Sequence, residues 1–545
     1  MSAAYAVPAD ARPAASVLLL RDGADGVEVL MLRRAERDGD LRSGACVFPG
    51  GVVDANDHHA AAVCVGADDA TLSARMSLAD GGLAYAVAAL RECFEEVGLL
   101  LADRPVDAEA LHPWRLRLHA HELSIAEFCT AQGLRLDLRD LHYHSHWLTP
   151  PGVPKRFDTR FFIAPAPAGQ KAVADATEAL ELMWLTAKAA LDPARGLKLL
   201  PVTRRTLEDL ARFASTEAAL AEARERREIR LTMPRLATSR RGREIVLPDQ
   251  LPWAEIGRLD PTGRGDVSSE LVAGRPVWLS PRIARVTAPN PGMMTGPGTN
   301  SYFVGAGSEW TLIDPGPADD AHLQALLAAA PGPIARILVT HTHPDHSPGA
   351  AALSEATGAP VLGRRPAHAQ GQDASFAPQR ELQHGERLAL GDAGMLRVIH
   401  TPGHASNHLC YLLEDEKLLF TGDHVMQGST VVINPPDGDM AAYLRALQSL
   451  LDLDLEWLAP GHGFLVEAPH AVLRGLIAHR LRREAKVLAA LQAHAPCSLD
   501  ALLPEVYADV PAALHPVARR SLLAHLLKLQ EDGVAKVAGE VWGVG

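Results

Sequence analysis

Residues 341–346 read His-Thr-His-Pro-Asp-His, one residue after the apolar run Ile337-Leu338-Val339. This pattern indicates a strand that delivers three imidazoles and a carboxylate into one short loop. Such a cluster is costly to place in a fold unless a ligand neutralises it. Imidazole together with carboxylate suits a borderline divalent metal such as zinc, so we expect a metal site here.

Three later motifs extend the candidate site. They are Thr-Pro-Gly-His ending at His404, Thr-Gly-Asp-His containing Asp423, and Pro-Gly-His-Gly containing His462. Each follows an apolar segment and has a glycine just before the polar residue, as expected for a loop at a strand end. Two cations about 3.5–4 Å apart could lower the pKa of a shared water and hold the attacking and leaving oxygens. Asp345 could also accept or donate a proton, which makes it a candidate catalytic residue.

These seven residues match the ligand pattern of the metallo-beta-lactamase superfamily, which residues 276–475 resemble. The resemblance implies a four-layer αβ/βα sandwich with two divalent metals, expected to be Zn²⁺, at one edge. It also implies the division of the ligands: His341, His343 and His404 on one metal, Asp345, His346 and His462 on the other, and Asp423 bridging both.

The first 226 residues carry a second candidate metal site. Residues 15–20 and 27–32 alternate around an Asp-Gly turn, which predicts a β-hairpin, and residues 84–100 have a helical pattern. Glu92, Glu95 and Glu96 lie on one strip of that helix. Three clustered carboxylates repel one another unless a hard cation such as Mg²⁺ or Mn²⁺ lies among them. The alternative is a solvated acidic helix face.

The run from Arg91 to Leu99 matches the second half of the Nudix box, REUxEExGU, and Phe48-Pro49-Gly50-Gly51 resembles the entry to that box. The usual box has a Gly and a Glu upstream of the Arg, where this chain has Ser77 and Leu83. The layout is similar to an inserted branch of Nudix proteins that includes peroxisomal coenzyme A diphosphatases. The resemblance implies an α/β/α sandwich that hydrolyses a diphosphate, with Glu92 activating water. A non-catalytic, ligand-binding Nudix fold is the alternative.

The remaining segments complete an α/β multidomain prediction. Residues 227–275 are rich in Pro, Gly and charge and predict a packed linker. Residues 476–545 show helices followed by a hairpin, which predicts a small winged-helix domain packed on the metal domain.

Composition sets the broad class. The 545 residues have a net charge of −13 and are 47% hydrophobic, which favours a globular protein of several domains over a general nucleic-acid binder. The six cysteines lack CxxC spacing and are expected to be reduced. No signal peptide or membrane span is expected, so the predicted location is cytoplasmic, with no membrane partner. His142, His144 and His146 alternate and are expected to be surface histidines.

The dinuclear site predicts hydrolysis but does not choose the bond. The run Gly-Pro-Gly-Thr-Asn-Ser-Tyr before residue 303 resembles a subgroup that contains a beta-lactamase-like endoribonuclease, which favours a phosphodiester substrate such as single-stranded RNA. The alternative is a thioesterase of the hydroxyacylglutathione or acyl-coenzyme A type. The expected partners are therefore a nucleotide or coenzyme A-like molecule, or single-stranded RNA.

Overall fold

The computed structural model describes residues 5–35, 43–174, 179–226 and 228–545. The chain forms two compact units, one of residues 1–236 with 262–265 and one of residues 237–261 with 266–545. All six cysteines are free thiols, as predicted. Within the described ranges, no helix is long and apolar enough to cross a membrane.

The first unit has ten strands, eight of them in one sheet and two in a separate small sheet, together with seven α-helices in the described residues. Its strands are β1 Ala11–Gly23, β2 Gly26–Arg34, β3 Cys46–Val47, β4 Gly50–Val52, β5 Cys64–Val65, β6 Leu136–Asp137, β7 His142–Leu148, β8 Arg156–Pro165, β9 Ala179–Thr186 and β10 Leu231–Thr232. Its helices are α1 Asp69–Arg75, α2 Gly82–Val97, α3 His112–His119, α4 Ile125–Gln132, α5 Ala187–Leu191, α6 Pro201–Leu210 and α7 Thr216–Glu225.

The predicted hairpin is confirmed, because β1 pairs antiparallel with β2 and parallel with β8 on its other side. The sheet runs β10-β7-β8-β1-β2-β3, with β4 added to β1 and β9 to β2. Val17 and Leu19 pack in the same core as Leu90 of α2. The alternate residues of β1, such as Leu18, are also fully buried, so both faces of the sheet are covered. This arrangement matches the predicted α/β/α order.

The alternating histidines of β7 are not on the surface, so that expectation is wrong. His142, His144 and His146 are all buried, and the pairing of β7 with β8 shifts register between Tyr143 and Ser145. His146 reaches the buried carboxylate of Asp158 at 2.6 Å. The rings of His142 and His144 each leave Nε2 buried without a hydrogen-bond partner among the described residues.

The second unit has two facing sheets and a C-terminal module. Its strands, with β11 at the boundary between the units, are β11 Arg235–Ser239, β12 Gly242–Val246, β13 Val277–Ser280, β14 Ile283–Thr287, β15 Asn300–Ala306, β16 Glu309–Ile313, β17 Ile334–Leu338, β18 Val361–Gly363, β19 Arg380–Glu381, β20 Arg387–Ala389, β21 Met395–His400, β22 Leu409–Leu413, β23 Leu418–Gly422, β24 Trp457–Pro460, β25 Val466–Glu467, β26 Cys497–Ser498, β27 Ala535–Ala538 and β28 Val541–Val544. Its helices are α8 Trp253–Leu259, α9 Asp320–Ala329, α10 Gly349–Thr357, α11 Met440–Leu450, α12 Pro469–His494, α13 Leu499–Val506 and α14 His515–Glu531.

The predicted αβ/βα sandwich is confirmed. One sheet runs β13 to β19 in chain order and the other β20 to β25. A core between the sheets joins residues such as Val304 and Val398. Leu326 of α9 packs on the outer face of the first sheet, and Leu447 of α11 packs on the outer face of the second. The winged-helix prediction is also confirmed, since α12, α13 and α14 share one core with Trp542 of the hairpin β27–β28.

A buried ion pair fixes part of the predicted linker to the second unit. Glu255 of α8 and Arg285 of β14 form two hydrogen bonds, of 2.6 and 2.8 Å, and both side chains are almost fully buried. Glu255 also accepts the backbone N–H of Leu465 at 2.8 Å. The helix therefore supports the loop that carries His462.

Candidate metal centres

The seven predicted residues of the second unit meet at one edge of the two sheets. The loop 341–346 follows β17, while His404, Asp423 and His462 follow β21, β23 and β24. Their candidate ligand atoms form three groups, each within 4.8 Å: His341 with His343 and His404, His341 with His346 and Asp423, and Asp345 with His346 and His462. The four motifs, which are far apart in the sequence, therefore form one site.

Asp423 lies between the two histidine groups. Its Oδ1 is 3.4 Å from His346 Nε2 and 3.3 Å from His462 Nε2, and its Oδ2 is 3.7 Å from His404 Nε2. On the other side, His343 Nδ1 is 2.9 Å from His341 Nε2 and 3.0 Å from His404 Nε2. One carboxylate thus faces both halves of the cluster.

The chemistry of the cluster fits divalent metal ions. His346 Nε2, His462 Nε2 and Asp423 Oδ1 are buried and have no hydrogen-bond partner among the described residues. Polar atoms buried in this way are costly unless something binds them, and these nitrogen and oxygen atoms are the ligand types that Zn²⁺ takes.

The opposite ring nitrogens are held by the protein. His404 Nδ1 donates to the Val432 carbonyl at 2.8 Å, and His462 Nδ1 donates to the Gly298 carbonyl at 3.2 Å. His346 Nδ1 lies 2.9 Å from a carboxylate oxygen of Asp314. Such bonds fix the ring orientation and leave Nε2 directed into the cluster.

Burial and charge set the protonation of the cluster. Burial lowers the pKa of His343 to about 3 and also lowers the pKa of His341 and His404, so these rings are neutral. Burial alone would lower the pKa of His462, but the carboxylates of Asp423 and Asp345 raise it to about 9. Burial would likewise raise the pKa of Asp423, but His462 and His346 hold it well below its usual value.

Several supporting residues were not predicted from the sequence. Asp314 directly follows β16 and has a positive φ of 53°. It accepts both the backbone N–H and the hydroxyl of Thr340, besides contacting His346. The only sequence signal was an Asp-Pro-Gly turn after a strand. His408 Nε2 accepts the backbone N–H of Asp423 at 3.2 Å and so holds the loop that carries this carboxylate.

The Gly-Thr-Asn loop also supports the cluster. Thr299 Oγ1 donates to Asp345 Oδ2 at 3.1 Å. Asn290 in turn holds Thr299 by two hydrogen bonds, of 3.0 and 2.9 Å. The loop that marked the subgroup in the sequence is therefore part of the support of Asp345.

The cluster opens into a cleft of about 890 Å³ that also reaches the C-terminal module. His343, Asp345, His404 and Asp423 line one end of it. A volume of this size accommodates a ligand as large as a cofactor.

The carboxylates predicted in the first unit lie together on α2, beside the loop of β4. Glu95 and Glu96 are buried, and Glu96 accepts the backbone N–H of Gly50 at 2.9 Å. A Cβ atom at Gly51 would lie 2.3 Å from the carboxyl carbon of Glu92, so any larger residue here would displace this carboxylate from its position. Burial raises the pKa of Glu92 to about 7, with Glu95 adding to the shift and Arg91 opposing it.

Asp57 supplies a carboxylate that sequence reasoning missed. Leu83, at the position of the usual upstream Glu, is buried in the apolar core. Asp57, from the insertion, is fully buried and binds Arg91 through two bonds of 2.9 and 3.0 Å. Arg91 also contacts Glu92 at 2.9 Å and Glu95 at 3.3 Å. The arginine is thus shared between Asp57 and the predicted metal-binding carboxylates.

Comparison with known families identifies three domains in the chain. Residues 294–462 match the metallo-beta-lactamase superfamily, residues 64–199 match the NUDT19 Nudix domain, and residues 498–542 match the beta-lactamase associated winged helix domain.

Individual relatives each match part of the chain. The beta-lactamase-like protein 2 homolog of Caenorhabditis elegans is 30% identical over 266 residues, which are 47% of this chain and 87% of that protein. An atrochrysone carboxyl ACP thioesterase of Aspergillus chevalieri is 32% identical over 279 residues, which are 49% of this chain and 85% of that protein. A solved NUDIX hydrolase from Alicyclobacillus acidocaldarius is 29% identical, with a TM-score of 0.33, and spans 39% of this chain and 97% of that one.

Proposed function

Since this chain belongs to the metallo-beta-lactamase superfamily and joins that fold to a Nudix domain and a winged-helix module, we propose that its second unit is a metal-dependent thioesterase. The observation that carries the proposal is the seven-residue His/Asp cluster at the end of a cleft, in a unit similar to proteins named as ACP thioesterases. Those relatives favour the thioester over the phosphodiester that the sequence favoured.

The proposed roles keep the division that the resemblance implies, which the distances between the ligand atoms support. His341, His343 and His404 would hold one divalent cation, Asp345, His346 and His462 would hold a second, and Asp423 lies beside both sets of histidines. When bound, two such cations, with Zn²⁺ as the expected metal, polarise a carbonyl and lower the pKa of a nearby water.

Asp345 is the candidate for proton transfer. Its side chain is 25% exposed and lines the cleft, whereas that of His346 is fully buried. Asp345 is therefore accessible from the cleft, and it would accept the proton of the attacking water and pass it to the leaving sulfur. The C–S bond breaks and a C–O bond forms, so one thioester and one water yield one carboxylic acid and one thiol.

The test uses the full chain and its Asp423→Ala variant, each with Zn²⁺ or Mn²⁺. Acyl-coenzyme A, single-stranded RNA and bis(p-nitrophenyl) phosphate serve as substrates, and free thiol is measured for the thioester. Thiol release that the variant loses supports the proposal. RNA cleavage without thiol release would overturn it in favour of a nuclease. Glu96→Gln, which changes a carboxylate in the first unit, is the matched control and should leave thiol release unchanged.

For the first unit we propose hydrolysis of a nucleoside diphosphate derivative, with Glu92, Glu95 and Glu96 holding Mg²⁺ or Mn²⁺. Two observations favour a catalytic site over a purely structural one. The carboxylates line a cleft of about 800 Å³, and Asp57 forms an ion pair with Arg91 although the usual upstream Glu is absent. The pKa of Glu92, about 7, suits a group that accepts a proton near neutral pH.

A coenzyme A-like substrate would connect the two activities, because one molecule of acyl-coenzyme A has both a thioester and a diphosphate. Free coenzyme A is therefore the first substrate to test, with phosphate-ester products separated by chromatography. Cleavage that Glu96→Gln loses and Asp423→Ala keeps supports the proposal. If the unaltered protein and the Asp423→Ala variant both bind the nucleotide tightly and neither cleaves it, the first unit is instead a ligand-binding module.

A further inference from the structure

The cleft of the second unit has two chemically different ends. The cluster lies at one end, and the other end is lined by α12, α14 and the segment between α13 and α14. Arg480, Arg483 and Arg520 all line this far wall. No Asp or Glu of residues 476–545 lines the cleft, within the part of the chain that the structure describes. The far wall therefore presents positive charge to any ligand that reaches it.

The three guanidinium groups differ in their burial and in how far the protein already pairs them. Arg480 is buried, donates to the Val431 carbonyl, and has its Nε without a hydrogen-bond partner among the described residues. Arg483 is buried and shares its charge with Asp509 at 2.8 Å. Arg520 is exposed, and no described carboxylate lies within ion-pair distance of it. Arg520 is thus the group with its hydrogen-bonding capacity available to a ligand.

The rim of the same cleft is apolar. Met293 is 75% exposed and Met294 is 49% exposed, both on the loop that carries Thr299. Leu514, 36% exposed, and Val517 belong to the wall near Arg520. Methionine side chains adapt to irregular apolar ligands and are common on surfaces that bind varied partners. The cleft therefore combines a reaction centre, an apolar rim and a positive wall.

We propose that the far wall is a phosphate-binding subsite, centred on Arg520, for the phosphate at the end of a pantetheine arm. The aliphatic and amide arm would lie along the apolar rim and place its thioester carbon at the cluster. Guanidinium groups bind phosphate by paired, charge-assisted hydrogen bonds, which a neutral thioester without a phosphate would not make. The inference rests on the proposed thioesterase function and specifies its substrate class as phosphopantetheine thioesters.

The test compares two synthetic esters that differ only in the phosphate, an acyl-phosphopantetheine and the corresponding acyl-pantetheine. Neither contains a diphosphate, so the first unit has no bond to cleave in them. We expect the full-length, metal-loaded protein to hydrolyse the phosphorylated ester with a kcat/KM about tenfold higher than that for the acyl-pantetheine. A factor of this size corresponds to one charge-assisted hydrogen-bonded contact. The preference should fall as ionic strength rises, because Arg520 is exposed.

Three variants isolate the subsite. Arg520→Ala should reduce the preference to about one, and Arg520→Lys, which keeps the charge, should retain part of it. Arg482→Ala is the matched control, because Arg482 is an exposed arginine of α12 that does not line the cleft, and it should keep the full preference.

The outcomes separate the two proposals. Equal hydrolysis of both esters by the unaltered protein, or a preference that survives in Arg520→Ala, would overturn the subsite and leave the thioesterase standing. Hydrolysis of neither ester by a protein that cleaves RNA would overturn the thioesterase and the subsite together.

Discussion

The hydrogen bond from Thr299 to Asp345 offers a direct test of how the cluster is organised. Replacement of Thr299 by Val keeps the side-chain shape and removes the hydroxyl that donates to Asp345 Oδ2 at 3.1 Å. It also leaves the Asn290 side-chain amide without the acceptor that it reaches at 3.0 Å. If Asp345 holds a cation, the variant should bind that cation more weakly, because the carboxylate loses the bond that orients it.

The magnitude follows from the burial of the two partners. A hydrogen bond to a charged group contributes about 1.5–3 kcal/mol, with the larger values expected where water is excluded. Thr299 is fully buried, but the side chain of Asp345 is 25% exposed, so the lower end applies. We therefore expect a loss of about 1.5 kcal/mol, which is about a tenfold weaker affinity for one of the two cations.

The assay is competition for Zn²⁺ between the full-length protein and a chelator, and it requires no knowledge of the substrate. Thr287→Val is the matched control, because Thr287 is also buried and donates to the side chain of Asn300 at 2.9 Å rather than to the cluster. A Thr299→Val protein that binds both cations as tightly as the unaltered protein would refute the reasoning. Equal losses in both variants would also refute it, because the effect would then be general destabilisation.

Three further predictions concern stability and the first unit. Glu255→Ala should destabilise the second unit by about 3–5 kcal/mol, because Arg285 is left buried and unpaired. Adding Arg285→Met to the same chain should restore part of the lost stability, and hydrogen exchange in β14 measures both effects. Asp57→Asn should lower the free energy of unfolding of the first unit by about 3 kcal/mol and weaken its Mn²⁺ binding, because Arg91 then pairs only with the metal-binding carboxylates. Burial lowers the pKa of His144 to about 4, against about 6.5 when unfolded, so stability is complete above pH 6.5 and about 3 kcal/mol is lost as the pH falls to 4; His144→Gln should flatten this acid dependence in urea unfolding.

The seven residues of the cluster could be identified from the sequence because each belongs to a local signal. Every one follows an apolar strand and lies next to a glycine or within the His-Thr-His-Pro-Asp-His loop, and such loops meet wherever strands end at a common edge. The folds of the first two domains were implied by the family resemblance that such motifs carry, whereas the winged-helix fold was predicted from the pattern of helices followed by a hairpin. Periodicity was sufficient for α2, which was predicted over residues 84–100 and runs from Gly82 to Val97.

The supporting residues could not be identified in this way, because their partners are distant in the sequence. Asp57 meets Arg91 across an insertion, and nothing local separates it from the exposed His58 beside it. Glu255 lies in a stretch rich in Pro, Gly and charge, where an acidic residue is usually solvated, and only the burial of Arg285 makes it structural. His144 was misjudged because burial depends on what covers a strand, which alternation does not reveal.

The two candidate centres solve the problem of buried charge differently, and the difference bears on how each depends on its metal. In the second unit His462 Nε2 and Asp423 Oδ1 are buried without a hydrogen bond from the described residues and lie only 3.3 Å from each other, so a cation is the natural partner of both. In the first unit Arg91 already contacts Glu92 and Glu95, while Asp57 holds the arginine from the other side. A cation there adds to a charge balance that the protein has partly made itself. The first unit therefore has less to gain in stability from its metal than the second, although both place carboxylates where a cation can act.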